Sequence, residues 1–276
     1  MHTDLIPTPS GYQVPVRWFH RDGARGSVIF MAALGIAARY YVPLAEALHD
    51  MGLNVLLIEQ RGHGDSALRP SRQVDFGFRE ALEDELPLSI DWVRARAPAL
   101  PLYLMGHSLG GHYAAITAGR MPDKVDGVIL TACGSPWVGG FHGRVRSQLQ
   151  ILCRLIPVFN RLLGYYPGDR LGFGGREART LMADWLDLAR TNVYSARGLD
   201  EDLEQGIARY SKPVLSLRLE DDRYAPEAAM AAVTDKFVSA PVTRQVISAE
   251  ELGDQADHVR WARKPEALMT HIESWL

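Results

Sequence analysis

The segment Gly106-His107-Ser108-Leu109-Gly110 has the residue types and spacing of a serine nucleophile on a tight turn. The apolar run at 102–105 predicts a buried strand before it, and a helical pattern begins just after Gly110. A strand that turns directly into a helix strains the backbone at the bend and projects the Ser108 hydroxyl above the sheet. Gly106 and Gly110 must be small, because larger side chains would collide with the neighbouring strand and helix. The free N–H groups at the start of the helix would stabilise an oxyanion formed beside Ser108.

A serine nucleophile also needs a histidine that accepts its proton and a carboxylate that orients the histidine. Such residues follow two later predicted strands: Asp221 and Asp222 after the strand at 213–219, and His258 after the strand at 242–247. The chain order serine, aspartate, histidine is the one associated with this kind of nucleophile. We therefore expect His258 to take the proton of Ser108 and to return it to the leaving group. The pattern of residues alone leaves both aspartates open as the acid.

The strands and helices that must position these residues alternate along most of the chain. Continuous apolar runs predict strands at 27–31, 54–59, 102–105, 125–130, 213–219 and 242–247. Helical patterns are found at 37–51, 76–96, 226–237 and 265–276. This alternation predicts an α/β fold, in which a mostly parallel central sheet has helices on both faces. Residues 4–19 alternate around a Ser10-Gly11 turn and predict an antiparallel hairpin at one edge of the sheet.

The alternation stops at Gly134-Ser135-Pro136, and no strand pattern is found from 137 to 210. Helical segments are predicted instead, at 144–156, 176–191 and 199–210. Because a structureless connection of this length is unusual, we expect residues 137–210 to form a helical cap. The core domain would then comprise residues 1–136 and 211–276. An insertion above the carboxyl ends of parallel strands would cover the place where such sheets bind ligands.

Bulky side chains are frequent in this insertion and have two interpretations. They are Trp137, Phe141, Phe159, Tyr165, Tyr166, Phe173, Trp185 and Tyr194. Most would pack in a small core of the insertion, whereas some would line a substrate pocket. The insertion also contains a series of arginines, namely Arg144, Arg146, Arg154, Arg161 and Arg170. We interpret these arginines as solvated, although Arg144 and Arg146 would favour an acidic substrate if they faced inward.

Composition argues against several classes of protein. The net charge is −3 with both signs interspersed, unlike the basic patches of nucleic-acid-binding proteins. Cys133 and Cys153 have neither metal-ligand nor redox spacing, and they fit a reducing compartment better than a disulfide framework. The first residues lack the features of a signal peptide, and no apolar run is long enough for an integral membrane segment. We therefore expect a cytoplasmic protein that uses no metal and no cofactor; its oligomeric state is left open.

Taken together, these features resemble the α/β-hydrolase superfamily over nearly the whole chain. The matching motifs are Tyr40-Tyr41 with 44–48, Arg61-Gly62-His63-Gly64-Asp65-Ser66, residues 106–111, the aspartate loop before Pro226, and His258. The chain is similar to the capped group that contains monoglyceride lipases and serine aminopeptidase hydrolases. Residues 166–172 with Trp185 are similar to a poorly characterised bacterial subgroup. The resemblance implies an α/β-hydrolase fold with an inserted helical cap and a Ser-His-Asp triad.

The resemblance also distinguishes between the acidic residues. In the family pattern the acid lies four residues before the proline that opens the next helix, which implies Asp222, with Pro226, as the acid. Asp221 remains the alternative. Asp254 and Asp257 are interpreted as loop charges, because residues so near His258 in sequence rarely face it well enough to form a triad.

For the oxyanion hole, the resemblance implies two backbone N–H groups, one of Leu109 and one from the loop after the strand at 27–31. Ala33 occupies the matching position in the segment Met31-Ala32-Ala33-Leu34-Gly35. Many relatives have His-Gly there. Because this segment departs from that motif, the second oxyanion donor is predicted only to within one residue. His112, on the helix after the bend, is expected to have a structural role. The residues expected to bind substrate are Leu34, His107, Trp137, Phe159 and Trp185.

The expected function is that of a cofactor-independent serine hydrolase. It would cleave a carboxylic ester of a small hydrophobic substrate through an acyl-enzyme on Ser108. Thioester, carbon–carbon bond and peptide hydrolysis use the same triad and stay open; an aminopeptidase would need a cap carboxylate such as Asp184, Asp187 or Glu204 for the substrate amine. Dehalogenases and epoxide hydrolases normally need an aspartate where Ser108 stands. A non-catalytic ligand-binding protein on the same scaffold is the alternative of a different class.

Overall fold

The computed structural model describes residues 1–276 and contains ten strands, eight of which form one sheet. The strands are β1 (His2–Pro7), β2 (Gln13–Phe19), β3 (Gly26–Met31), β4 (Leu53–Ile58), β5 (Leu102–His107), β6 (Gly127–Thr131), β7 (Tyr165–Pro167), β8 (Arg176–Ala178), β9 (Val214–Leu219) and β10 (Val242–Ile247). The order in the large sheet is β1-β2-β4-β3-β5-β6-β9-β10. Strands β3 to β6, β9 and β10 are parallel, whereas β1 and β2 form an antiparallel hairpin at one edge. The predicted sheet and hairpin are therefore confirmed.

Helices flank this sheet and also fill the insertion. They are α1 (Val42–Asp50), α2 (Phe78–Glu80), α3 (Leu86–Arg96), α4 (Leu109–Arg120), α5 (Gly143–Leu163), α6 (Gly168–Leu171), α7 (Arg179–Thr191), α8 (Leu203–Arg209), α9 (Glu227–Thr234), α10 (Ala249–Leu252) and α11 (Glu266–Trp275). A π-helical segment, Ala81–Glu85, joins α2 to α3, and a 3₁₀ turn, Ala38–Tyr41, precedes α1. No helix combines the length and the apolarity that crossing a bilayer would require.

The two faces of the sheet each bury an apolar layer, which is why the central strands are apolar without alternation. Along β3, Ile29 packs in one core cluster, while its neighbours Val28 and Phe30 pack in the other. Every residue of β3 and β4 is buried. Burial of both faces explains why a continuous apolar run identified these strands correctly.

Some boundaries differ from the predictions in ways that matter for the site. Strand β5 continues past 105 to His107, so the strand leads directly into Ser108. Helix α5 continues from 156 to Leu163 through Pro157, and Gly164 ends it in a left-handed conformation. The helix predicted at 199–210 forms only over Leu203–Arg209.

The sequence pattern predicted a purely helical insertion, but the insertion also contains two short strands. Strands β7 and β8 form a short antiparallel hairpin, with Tyr165 opposite Ala178 and Pro167 opposite Arg176. With three residues each, they are too short to produce a recognisable alternation of apolar residues. At the other end of the insertion, Gly206 of α8 lies against Gly119 of α4, so α8 packs on the helix that follows Ser108.

Candidate active site

Ser108 lies at the bend between β5 and α4, in the position that the sequence predicted. Its backbone has φ 52° and ψ −117°, a strained conformation for a residue that is not glycine. A Cβ atom added to Gly106 would lie 2.1 Å from the carbonyl carbon of Gly110, and one added to Gly110 would lie 2.1 Å from the carbonyl oxygen of Met31. Both glycines are therefore required by close backbone approach.

Asp222 and His258 come together across two loops at the carboxyl ends of β9 and β10. The Oδ2 atom of Asp222 lies 2.7 Å from Nδ1 of His258. The other oxygen, Oδ1, accepts hydrogen bonds from the backbone N–H groups of Tyr224 at 2.8 Å and Ala225 at 3.1 Å. The Asp222 side chain is fully buried, whereas the imidazole of His258 is partly exposed. This arrangement fixes the imidazole ring and leaves its Nε2 atom on the side away from the carboxylate.

The competing carboxylates have other partners. Asp221 accepts a hydrogen bond from the backbone N–H of Ala256 at 3.1 Å and so ties its loop to the one that carries His258. Asp254 pairs with Lys264 at 3.4 Å. Asp257 accepts hydrogen bonds from the N–H groups of the two residues after His258. Of these carboxylates, only Asp222 lies within hydrogen-bonding distance of the His258 imidazole.

Ser108 and His258 share one cavity of about 270 Å³. Its wall contains Ala33, Leu34, Gly35, Ile36, Ser108, Leu109, His112, Gly134, Pro136, Phe141, Leu149, Gly172, Phe173, Gly174, Trp185, Tyr224, His258 and Val259. The Ser108 hydroxyl forms no hydrogen bond with His258 in this state. Such bonds are often long without substrate and shorten only when a substrate is bound.

Two of the five predicted substrate-binding residues, Leu34 and Trp185, line this cavity. The other three do not line it. His107 is buried beneath the site with its Nδ1 atom 2.7 Å from the hydroxyl of Tyr41. Trp137 lies against Gly139 and is partly exposed, and Phe159 packs edge-on against Tyr166 inside the cap.

Several residues of the cavity wall were not predicted to bind substrate from the sequence. Phe173 packs edge-on against Trp185, with 5.2 Å between ring centroids, and Phe141 and Leu149 line the wall beside them. Phe141 and Phe173 were recognised only as bulky residues of the insertion. Tyr224, two residues after Asp222, lies edge-on to His258 with 5.6 Å between ring centroids. Its closeness to the aspartate in sequence was a usable signal.

His112 bonds to a buried side chain of the insertion and also lines the cavity. Its Nδ1 atom lies 2.5 Å from the hydroxyl of the buried Tyr194, which agrees with the structural role expected for it. It also forms part of the cavity wall. Burial lowers the pKa of His112 to about 4, so the imidazole is neutral at physiological pH.

The backbone N–H of Ala33 does not point into the cavity. It donates a hydrogen bond of 3.2 Å to the hydroxyl of Tyr41, which is fully buried. The neighbouring N–H of Leu34 has no acceptor within the chain, and neither does that of Leu109 at the start of α4. The free N–H of this loop is thus that of Leu34, one residue after Ala33, and the prediction from the altered motif allowed a difference of one residue.

A buried histidine–carboxylate contact connects the insertion to the core beside this loop. The Oε2 atom of Glu177 lies 2.9 Å from Nε2 of His63, and its Oε1 atom accepts a hydrogen bond of 2.7 Å from the N–H of Gly175. Gly35 has φ 78°, and a Cβ atom there would lie 2.3 Å from the nitrogen of Gly175. The loop at 172–175 therefore lies directly against Gly35 of the core at the edge of the cavity.

The cavity wall contains no carboxylate. The three cap carboxylates considered for binding a substrate amine are engaged elsewhere. Asp184 is buried and accepts hydrogen bonds from Phe78 and Arg197, Asp187 pairs with Arg197, and Glu204 pairs with Lys236. No group of three or more histidine, cysteine, aspartate or glutamate side chains is arranged to hold a metal ion.

The sequence matches the family described as serine aminopeptidase, S33, over residues 22–161. Human protein ABHD12B is 32% identical over 130 residues, which are 46% of this chain and 33% of that protein. Monoglyceride lipase of Mus musculus is 28% identical over 272 residues, which are 94% of this chain and 85% of the lipase. By contrast, the alignments with ABHD12B and with human monoglyceride lipase span only 33% and 37% of those proteins.

Solved structures extend the likeness to the whole chain. Est1E from Butyrivibrio proteoclasticus with bound ferulic acid superimposes with a TM-score of 0.64 at 17% identity, covering 99% of this chain and 98% of that one. Monoacylglycerol lipase from Paleococcus ferrophilus gives a TM-score of 0.62 at 19% identity, covering 95% and 97%. At such identities the likeness establishes the fold alone, and that fold is the predicted α/β-hydrolase fold. The sequence match and the shared fold together establish that this chain belongs to the S33 serine aminopeptidase family of α/β-hydrolases, in the group that contains monoglyceride lipases.

Proposed function

We propose that this protein hydrolyses carboxylic esters of small hydrophobic molecules, with Ser108, His258 and Asp222 as the catalytic triad. Family membership supports a hydrolase of the lipase and esterase type. The single observation that carries the finer proposal is the 2.7 Å contact between Asp222 and His258 beside the cavity that Ser108 shares. No other carboxylate of the chain contacts His258.

In the proposed reaction, Nε2 of His258 accepts the proton of Ser108 as its oxygen attacks the ester carbonyl. Asp222 stabilises the imidazolium that forms, and the two backbone N–H groups that donate to its Oδ1 atom keep the carboxylate oriented. His258 then gives the proton to the leaving alcohol, which produces an acyl-enzyme on Ser108. Water attacks the acyl-enzyme by the same route in reverse and releases the carboxylic acid.

The oxyanion of each tetrahedral intermediate would lie between the N–H groups of Leu109 and Leu34. Both groups are free of other acceptors, and both residues line the cavity with Ser108. The positive end of the α4 dipole adds to this stabilisation. Tyr41 supports the assignment indirectly, because its hydroxyl already occupies the N–H of Ala33.

The cavity wall favours an ester with an apolar acyl group over a substrate with a free amine. Aromatic and aliphatic side chains dominate the wall, and no carboxylate faces the space beside Ser108. A positively charged amine would therefore be desolvated there without a partner, at a cost of several kcal/mol. This argument weighs against the aminopeptidase alternative.

We also propose that residues 137–210 form a cap domain on a core of residues 1–136 and 211–276. Residues of this cap supply a large part of the cavity wall, namely Phe141, Leu149, Gly172, Phe173, Gly174 and Trp185. In this division α5 to α7 form the roof. Helix α8 anchors the cap to the core through its contact with α4.

The test is active-site labelling with a fluorophosphonate, followed by peptide mass spectrometry. One adduct is expected, on Ser108, and Ser108→Ala should lose both the adduct and about 10⁶ in kcat toward p-nitrophenyl esters. The exposed Ser147 provides the control, since Ser147→Ala should keep label and rate. Labelling that persists in Ser108→Ala would overturn the proposal.

A further inference from the structure

The cavity of Ser108 contains a buried imidazole that the proposed reaction does not use. It belongs to His112, which is 2% exposed and lies four residues after Ser108 on helix α4. A helix rises about 1.5 Å per residue, so the two residues are separated by about 6 Å along the helix axis. His112 therefore lines the cavity near the point of attack on the ester, but not at it.

One nitrogen of this imidazole, Nδ1, is occupied by buried neighbours. The hydroxyl of Tyr194 lies 2.5 Å from Nδ1, and the thiol of Cys133 lies 3.8 Å from it. Burial raises the pKa of the Tyr194 hydroxyl and that of the Cys133 thiol, so both groups keep their hydrogens. The Tyr194 hydroxyl has no other partner in the chain and therefore donates to Nδ1. The ring hydrogen of neutral His112 consequently lies on Nε2.

This Nε2–H group has no hydrogen-bond acceptor within the chain. The carbonyl of Gly134 lies near the ring and opposes the effect of burial on the pKa, but no hydrogen bond of normal length and direction joins it to His112. The Nε2 atom of His107 also lacks a partner, yet it is completely enclosed by protein, whereas that of His112 is open to the cavity. Because an unpaired buried donor is costly, a ligand that supplied an acceptor here would gain affinity.

The charges around His112 determine which acceptor fits. Burial lowers the pKa of His112 to about 4, so the ring is neutral at physiological pH. The cavity wall contains no lysine, arginine, aspartate or glutamate. A carboxylate or an ammonium group would therefore be desolvated without a counter-charge. An uncharged ketone, ether or hydroxyl oxygen avoids that cost and accepts the hydrogen bond.

The reaction geometry places this oxygen in the acyl part of the substrate. The leaving alcohol must lie beside His258, because it receives its proton from that ring. The ring of His258 contacts that of His107, whereas the ring of His112 contacts that of Tyr194, so the two imidazoles belong to different parts of the wall. The group that reaches His112 is therefore the acyl chain.

From these contacts we propose that His112 is a specificity-determining residue, whose Nε2–H binds an uncharged oxygen on the acyl chain of the substrate. Tyr194 is the positioning residue that keeps the hydrogen of His112 on Nε2. The inference rests on the proposed function and adds a substrate class to it. Esters of oxo, hydroxy or alkoxy acids should be preferred to those of plain alkanoic acids.

The experiment compares p-nitrophenyl heptanoate with oxoheptanoates whose keto oxygen is on the fourth, fifth or sixth carbon. His112→Leu should lower kcat/KM about tenfold for the best oxo ester, because one hydrogen bond to a buried donor is lost. The same variant should change kcat/KM for heptanoate by no more than about threefold. The ratio of the two effects cancels differences in intrinsic reactivity. His112→Gln, whose side-chain N–H can lie near the position of Nε2, should restore part of the preference.

The positioning role is tested with Tyr194→Phe and nitrogen NMR of histidine-labelled protein. The wild type should show His112 with its hydrogen on Nε2, and Tyr194→Phe should show a mixture of both tautomers and a weaker preference for the oxo ester. Tyr165→Phe is the matched control, because it removes a hydroxyl of the insertion that lines neither cavity. It should leave the tautomer and the preference unchanged.

Binding of the corresponding methyl esters to Ser108→Ala, measured by calorimetry, separates this proposal from the hydrolytic one. Adding His112→Leu should weaken binding of at least one oxo ester about tenfold and leave that of heptanoate unchanged. Selective binding without hydrolysis by the wild type would contradict the proposed function alone. Equal effects of His112→Leu on heptanoate and on every oxo ester would overturn the role of His112, and so would a hydrogen on Nδ1 in the wild type.

Discussion

The loops at the carboxyl ends of the core strands and the insertion above them supply different parts of the same cavity. In the core, Ser108, Asp222 and His258 are held by backbone geometry and by short hydrogen bonds such as the 2.7 Å contact between Asp222 and His258. In the insertion, Phe141, Phe173 and Trp185 are held by apolar packing alone. The core residues depend on the direction of their hydrogen bonds, whereas the insertion residues depend only on the shape of the space that they fill.

This difference explains why the site residues of the core could be predicted from the sequence, whereas most wall residues of the insertion could not. A hydrogen-bonded site needs particular atoms at particular positions, so its residues leave a motif. A packed wall needs only bulk of the right size, and many sequences supply it. Trp185 and Phe159 look equivalent in sequence, yet only Trp185 faces the cavity, while Phe159 packs on Tyr166.

The largest effect is expected where direction matters most, at the acid of the proposed triad. Asp222→Asn should lower kcat for a p-nitrophenyl ester by about 10⁴, because asparagine favours the wrong tautomer of His258. Asp221→Asn is the matched control, and it should cost less than tenfold, since Asp221 contacts only the backbone of Ala256 in the histidine loop. The measurement is kcat for both variants under saturating substrate. A greater loss in Asp221→Asn would show that the acid has been assigned to the wrong residue.

A smaller effect, on selectivity, is expected in the packed wall of the insertion. Each two-carbon extension of the acyl chain that fits should raise kcat/KM about tenfold, because a buried CH₂ contributes ~0.8 kcal/mol. Phe173→Ala or Trp185→Ala should shift the preferred acyl length by enlarging the cavity. The measurement is kcat/KM across a series of p-nitrophenyl esters.

Trp137→Ala and Phe159→Ala are the controls for this selectivity, since neither side chain lines the cavity. Both should keep the preferred acyl length of the unmodified protein. If all four variants gave the same profile, or if the unmodified protein showed no dependence on acyl length, the insertion would not be the element that selects the substrate.

The smallest effect is expected where the two regions meet, at His63 and Glu177. Burial alone would lower the pKa of His63, but the hydrogen bond and charge of Glu177, helped by Glu59, outweigh burial and the opposing Arg69, so the pKa is raised. A raised pKa in the folded state adds stability that is complete below about pH 6.5 and is lost as pH rises through the folded pKa.

The variant Glu177→Gln removes the charge but retains an acceptor for the N–H of Gly175. Its free energy of unfolding should fall below that of the wild type by on the order of 1 kcal/mol at low pH, with a smaller difference at high pH. Urea unfolding between about pH 5.5 and pH 8.5 measures this difference. In a His63→Gln background the effect of Glu177→Gln should no longer depend on pH. A difference that grows with pH would contradict the assignment.

Much of the core was determined by local sequence. The strands β3, β4 and β9 were identified because burial on both faces demands continuous apolar runs. Ser108 was identified because the bend requires Gly106 and Gly110. A Cβ atom at either position would overlap neighbouring backbone atoms. Asp221, Asp222 and His258 were expected near Ser108 from their positions after strands, and only the family resemblance singled out Asp222 as the acid.

Other features were decided only by the tertiary structure, since they depend on contacts between residues far apart in sequence. Ala33 was the expected oxyanion donor, but its N–H donates to the hydroxyl of Tyr41. The N–H of Leu34, in contrast, has no acceptor within the chain. Which aromatic side chains of the insertion face Ser108 followed from the way α5 and α7 pack. Helix α5 likewise has two apolar faces, of which only one is buried. A helical pattern with two apolar faces does not reveal which one the fold will cover, because that choice is made by the packing partner.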